Sequence, residues 1–531
     1  MRGIIAGKGT LLSGVPCRRF SSGQRTAREN EAQKMEMPLN ITRRDFMKCT
    51  GSAIVCVSMG SLISACGSGT TTSSNFPVVV FSDVHFNPFY DPTLVSALVN
   101  ENDTGMWAGI FQTSHLGPSS RGGDTNYQLL ALALSGIKQN LGASPLIIFT
   151  GDILGHGLPQ MFYRQLNGTS TSRDDADVAA MKTFTDKTVA FFMDQVRAAI
   201  GNIPVMFAVG NGDSYSGNGP NILDSSMTPD NSFLVNTAEL FYTQFLNGAA
   251  DHQSFLDTFT TAGYYSAEPA GTDLMVIGLN TIPFCRLFSS GEYANDSVVG
   301  TELDWLDSRL AAAEVKGKKV WLLMHAPPGA DIATTAKADN VDSSGHITSA
   351  AMMWWPAYQT RFLQILASHP GIISLTLAGH THMDEYRILP SADAVEITPA
   401  VSPWFGNNPA FKVITISRDT CKPTDYSSLI YDLATNPAQF NPYYTFSTAY
   451  SAKGLLDASL TRLTPALVTN QDKQSLYMEY YYSGNNSLTP VTYPLGNPYS
   501  PITNTTWPIY WCGISKMEQQ ELIDSVNSYM K

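Results

Sequence analysis

The chain has 531 residues, 43% of them hydrophobic and 15% charged, with a formal net charge of −12. That composition supports a large buried core and excludes global disorder. Residues 1–65 hold 10 of the 33 Lys+Arg and 4 of the 45 Asp+Glu, which leaves 23 − 41 = −18 for the rest; so acidic a body argues against a long nucleic acid held through its phosphates.

Residues 1–41 are an upstream segment, and the true start of translation is expected near Met35 or Met37. Thr42-Arg43-Arg44-Asp45-Phe46-Met47-Lys48 resembles a twin-arginine export motif. The small apolar stretch 51–65 is shorter than the ~20 residues of a membrane span and fits a signal h-region. It runs into Leu62-Ile63-Ser64-Ala65-Cys66, a lipobox pattern. Residues 42–65 are therefore expected to be a signal peptide cleaved before a lipidated Cys66. The expected location is the periplasm or cell surface, with the protein lipid-anchored to a bacterial membrane. Residues 66–75 form a Gly/Ser/Thr tether. If Cys66 is lipidated, Cys285, Cys421 and Cys512 remain, enough for one disulfide and one free thiol. No CxxC pair occurs, so a thiolate zinc site is not expected.

Short apolar runs then alternate with longer helix-compatible segments, the pattern of an α/β fold. The runs are 76–81 (FPVVVF), 145–149 (PLIIF), 204–209 (PVMFAV), 274–279 (LMVIGL), 320–324 (VWLLM) and 372–377 (IISLTL). Near-continuous apolar runs suit strands buried on both faces. Helices are expected over 128–141, 178–200, 302–315 and 357–368. Beyond Cys421 the texture becomes rich in Tyr, Asn, Ser and Pro, so a catalytic domain over 76–420 and a separate subdomain over 421–531 are expected.

The chemistry lies at the C-terminal ends of the runs. FPVVVF leads to Asp83 and His85, PLIIF to Asp152, PVMFAV to Asn211, VWLLM to His325, and IISLTL to His380 and His382. Five strands thus end in metal-capable side chains, at the sheet edge where α/β proteins bind ligands. Imidazole, carboxylate and amide donors suit zinc, manganese or iron. A lone carboxylate can bridge two cations, and Asp152 is the candidate. Asp83, His85 and His382 would then complete one site, and Asn211, His325 and His380 the other. Two such ions bind a phosphoester, activate a bridging water and support in-line attack on phosphorus. Each motif alone is weak, since a DxH or GD after a strand is more often a turn; the convergence of all five carries the argument.

Together DVH, GDxxxH, GN, H and GHTH resemble the calcineurin-like metallophosphoesterases. FSDVHFNPFYDP, GGDTN, AGYYS, the HAPPG block, GHTHMDEYR, VSPWFGNNPAFKV and WPIYWCGI narrow this to the acid sphingomyelinase-like phosphodiesterases, over about residues 76–527. The resemblance implies a two-sheet sandwich flanked by helices, followed by a smaller, mostly helical C-terminal subdomain. It implies two divalent metals, usually zinc, on Asp83, His85, Asp152, Asn211, His325, His380 and His382, and a phosphodiester substrate such as a nucleotide or a phospholipid headgroup. The third motif departs from the family's GNH[DE], reading Gly210-Asn211-Gly212-Asp213. With that histidine replaced by Gly212, His156 is left as the candidate proton donor or phosphoryl contact. The family's saposin-like module is expected to be absent, which weakens sphingomyelin as substrate. Alternatives are a phosphomonoesterase or polyphosphate/nucleotide phosphohydrolase on the same site, and a non-catalytic surface binding protein. His115, His252, His346 and His369 follow no ligand pattern and are expected to be structural or solvated.

Overall fold

The computed structural model describes residues 75–217, 233–288, 296–337, 340–486 and 501–530. The export motif, Cys66 and most of the tether lie outside the described residues.

Among the described residues, twelve strands form two sheets. The first has the order β12-β11-β10-β1-β2-β3, made of β1 (Asn75–Phe81), β2 (Ile147–Phe149), β3 (Val205–Phe207), β10 (Ala410–Ser417), β11 (Pro423–Ile430) and β12 (Asn441–Thr445). The second has the order β4-β5-β6-β7-β9-β8, made of β4 (Tyr265–Ala267), β5 (Leu274–Gly278), β6 (Lys319–Leu323), β7 (Ile373–Ala378), β8 (Glu385–Ile388) and β9 (Ala394–Ile397). Each of the six expected apolar runs supplies a strand, because β-branched and aromatic side chains fit a pleat buried on both faces.

Side-chain alternation makes the sandwich. On β6, Trp321 and Leu323 join the core shared with β1, β2 and β3, while Val320 and Leu322 join a second core. That second core packs Val299, Leu303, Leu306 and Leu310 of helix Asp296–Lys316 and Phe362 and Leu366 of helix Pro356–Ser368. Helices Tyr127–Gln139 and Asp175–Ile200 cover the first sheet through Leu130, Leu134, Phe191 and Phe192. A strand whose two faces look into different cores requires period-2 packing on both sides. The four expected helices are all present.

The two-sheet sandwich that the resemblance implies is present, and the strand ends that carry chemistry are divided between its sheets: β1, β2 and β3 in the first, β6 and β7 in the second. The domain boundary differs from the sequence expectation. The first sheet continues past residue 421, because β11 pairs antiparallel with β10 and β12 with β11. The Tyr-rich segment NPYYT is thus a strand, and the helical region starts at Phe446. Cys285, Cys421 and Cys512 are all buried free thiols. No helix among the described residues is long and apolar enough to cross a membrane.

A buried charge cluster ties the sheets together beneath the GHTH loop. Lys412 of β10 pairs with Asp384 at 2.8 Å and with Glu396 of β9 at 3.2 Å, and Tyr444 of β12 donates to Asp384 at 2.8 Å. Burial pushes the Glu396 carboxyl up to about 7, only partly offset by Lys412. A carboxyl raised above its unfolded value takes up a proton on folding. Its stabilising contribution is complete below about pH 4.5 and lost as pH rises through about 7. Urea unfolding between pH 5 and 8 should therefore show a steeper stability loss for the wild type than for Glu396→Gln; parallel profiles would contradict this.

Candidate metal centre

The two sheets bring their strand ends to one pocket by backbone pairing that continues past the strands. Asp83 N–H donates to Gly151 O (2.9 Å), His85 N–H to Asp152 O (3.0 Å) and Gly379 N–H to His325 O (2.9 Å). All seven residues singled out for metal binding converge there. Asp83, His85, Asp152, Asn211, His325 and His382 are buried, and His380 is half-buried.

Asp152 sits in the middle. Its Oδ2 lies 3.2 Å from His85 Nε2 and 3.2 Å from His325 Nε2. On one side, His382 Nε2 is 3.1 Å from His85 Nε2 and 3.4 Å from Asp83 Oδ1. On the other, Asn211 Oδ1 is 3.2 Å from His325 Nε2 and 2.8 Å from His380 Nδ1. These side chains therefore form two groups, one on either side of Asp152.

The donor chemistry fits cations. His85 Nδ1 faces Leu154 O at 3.0 Å and His325 Nδ1 faces Thr150 O at 2.7 Å. A carbonyl can only accept, so each Nδ1 carries its proton and each Nε2 turns inward. The carboxylates favour positive charge at that inward nitrogen. Burial opposes charge on His85 and His325, but Asp152 outweighs it and holds them up to about 10 and about 9. Burial also raises Asp152, yet His325 and His85 hold it well below the usual carboxylate range. The centre is built to hold positive charge among its carboxylates.

The backbone is strained to achieve this. Asp83, His85, Asp152, His380 and His382 all adopt left-handed φ, between 46° and 73°. Such conformations cost of order 1–3 kcal/mol each and persist only where the surroundings impose them. Asp213 is one such constraint: its carboxylate accepts from the N–H groups of Asp152 (3.0 Å), Ile153 (2.7 Å) and Gly210 (3.0 Å). Gly379 is another, since a Cβ there would lie on Ser82 Oγ and 2.7 Å from Asp83 Oδ2.

His156 lies at the pocket mouth, its ring sandwiched between His85 (centroids 3.8 Å) and Trp404 (4.5 Å). Asp124 accepts from both its backbone N–H and its Nδ1, each at 2.8 Å. Phe405 packs its edge against His382 at 4.6 Å. The sequence alone gives no role to Asp124, Trp404 or Asp213. Asp124 and Trp404 lie inside motifs that mark the family, GGDTN and VSPWFGNN, which is the signal that could have found them. Gly212 keeps a hold on the centre through its N–H, which donates to Asp152 Oδ1 at 2.7 Å. A Cβ at Gly212 would meet Asp152 Oδ1 and Leu154 O at 3.1 Å, so the loop has closed around the glycine. His252, His346 and His369 pair with carboxylates away from the pocket.

The family model described as calcineurin-like phosphoesterase matches residues 76–384. The chain belongs to that family. It is similar to sphingomyelin phosphodiesterase B of Dictyostelium discoideum, 21% identical over 81% of this chain and 62% of the relative. Cyclic GMP-AMP phosphodiesterase SMPDL3A of Rattus norvegicus is 24% identical over 77% of this chain and 84% of its own. Sphingomyelin phosphodiesterase of Bos taurus is 23% identical over 79% and 62%. The chain thus spans less than two thirds of the sphingomyelin phosphodiesterases it matches.

Gly379→Ala should push Asp83 out of place, costing about 1–3 kcal/mol of stability in urea unfolding together with most of the phosphoesterase turnover. Wild-type stability and turnover in the variant would show that the close approach is not needed.

Proposed function

We propose that the protein is an exported phosphodiesterase that uses two divalent ions, most naturally zinc, bridged by Asp152. The observation that carries this is the equal 3.2 Å separation of Asp152 Oδ2 from an inward-facing imidazole of each triad. Asp83, His85 and His382 would hold one ion, and Asn211, His325 and His380 the other. Two ions bound there supply Lewis acidity to the phosphoryl oxygens and a nucleophile from water at neutral pH.

The chain's own residues do the rest. Asp152 fixes the spacing of the two triads. His156, immobilised by Asp124 below and by His85 and Trp404 on its faces, presents Nε2 at the pocket mouth, where it donates a proton to the leaving oxygen. Gly212 removes the second histidine that relatives of this motif use, so proton donation rests on His156. Diesters are favoured because the relatives carry phosphodiesterase names, for sphingomyelin and for cyclic GMP-AMP. Nucleotides and phospholipid headgroups are the substrate classes in view. Export through the twin-arginine route and lipidation of Cys66 rest on the sequence motifs at 42–66.

Two outcomes test this. The purified protein should hold two divalent ions by elemental analysis and turn over bis-p-nitrophenyl phosphate faster than p-nitrophenyl phosphate. Asp152→Asn should then lose metal and more than about 100-fold in turnover; a metal-free wild type, or a preference for the monoester, would sink the proposal. His156→Ala should lose about 10²–10⁴-fold on an alkyl diester and far less on a p-nitrophenyl diester, whose leaving group needs no proton. Equal losses on the two substrates would remove His156 from that role.

A further inference from the structure

A second cavity, of about 500 Å³, opens in the helical C-terminal region. Its volume falls in the roughly 300–1,000 Å³ range of small-molecule sites. None of its lining residues belongs to the metal centre. The floor is apolar and aromatic, made by Phe446, Tyr450 and Leu463, each at most 5% exposed. The rim is cationic, made by Lys453, Arg462 and Lys473.

The charge pattern is unusual for this chain. Outside residues 1–65 the body carries a net −18. Yet among the described residues no carboxylate lies within ion-pair distance of Lys453, Arg462 or Lys473, although other surface cations such as Lys316 and Arg361 have acid partners. Arg462 is held in place without being neutralised. Its Nη2 donates to Lys453 O (2.8 Å) and to Ser459 Oγ (2.9 Å), which fixes one edge of the guanidinium. An anchored, unpaired guanidinium with two ammonium groups beside it is a preorganised anion receptor. The aromatic floor has no use for a bare inorganic anion. It suits an apolar stem attached to one.

We propose that this cavity binds an anionic amphiphile, with its phosphate, sulfate or carboxylate group at Lys453, Arg462 and Lys473 and its acyl or aryl portion on Phe446, Tyr450 and Leu463. The site is independent of phosphoester turnover. Its elements nonetheless pack near the centre: Thr464, on the same helix as Arg462 and Leu463, hydrogen-bonds Tyr386 of β8, four residues beyond His382.

The test is calorimetric titration of the metal-loaded, full-length protein with four probes: decyl phosphate below its micelle concentration, inorganic phosphate, decyltrimethylammonium, and phosphatidylglycerol vesicles. Decyl phosphate should show a component that weakens about tenfold or more in Lys453→Glu/Arg462→Glu, while turnover of bis-p-nitrophenyl phosphate stays at the wild-type level. Lys473→Gln, a milder change on a neighbouring helix, should weaken the same component by a few-fold. Decyl phosphate binding that is unchanged in both variants would overturn the proposal. So would inorganic phosphate showing the same variant-sensitive component at equal affinity, equal variant-sensitive binding of decyltrimethylammonium, or binding of vesicles alone, which would make this a membrane-contact surface and not a single-molecule site.

Discussion

The structure depends on one carboxylate. Asp152 places a single oxygen between two imidazoles that come from opposite sheets, His85 after β1 and His325 after β6. Both imidazoles are turned toward it by backbone carbonyls. Everything else in the centre protects that geometry. Asp213 grips the Asp152 loop, Gly379 lets Asp83 approach, and five residues accept left-handed backbone conformations. A layout so costly in local strain is retained only where the surroundings over-determine it.

The location of the centre comes from the sandwich. β1, β2 and β3 run parallel in one sheet and β5, β6 and β7 in the other, so both sheets present C-terminal strand ends on the same side. The second sheet can serve two cores because β6 sends Trp321 and Leu323 one way and Val320 and Leu322 the other. Beneath the centre, Lys412, Asp384 and Glu396 join β10 to β9. The helical C-terminal region is also attached close to the pocket mouth. Asn485 Nδ2 donates to Gly406 O at 2.5 Å, and Asn408 Nδ2 to Ser483 O at 2.9 Å, which steadies the loop that carries Trp404 and Phe405.

Much of this is legible in the sequence, for a physical reason. A strand buried on both faces must be apolar throughout, so the first polar residues after it mark its end and stand out. That is how Asp83, His85, Asp152, Asn211, His325, His380 and His382 can be found without coordinates. Residues acting across the chain are not legible. Asp124 reaches His156 from 32 positions away, and Asp213 reaches Ile153 from 60. No local pattern predicts such pairs. The division of strand ends between two sheets is hidden too, because parallel strands of either sheet read alike. Strand β12 is masked by its sequence, NPYYT, whose Pro and Asn resemble a loop more than a strand.

The central claim is that Asp152 bridges two cations, and manganese makes that visible. With the protein loaded to saturation with Mn²⁺, electron paramagnetic resonance combined with metal counting reads both stoichiometry and separation. Ions about 3.5–4 Å apart on a shared carboxylate should give two manganese per chain and an exchange-coupled multiline spectrum. One manganese per chain with an isolated six-line spectrum would contradict the account.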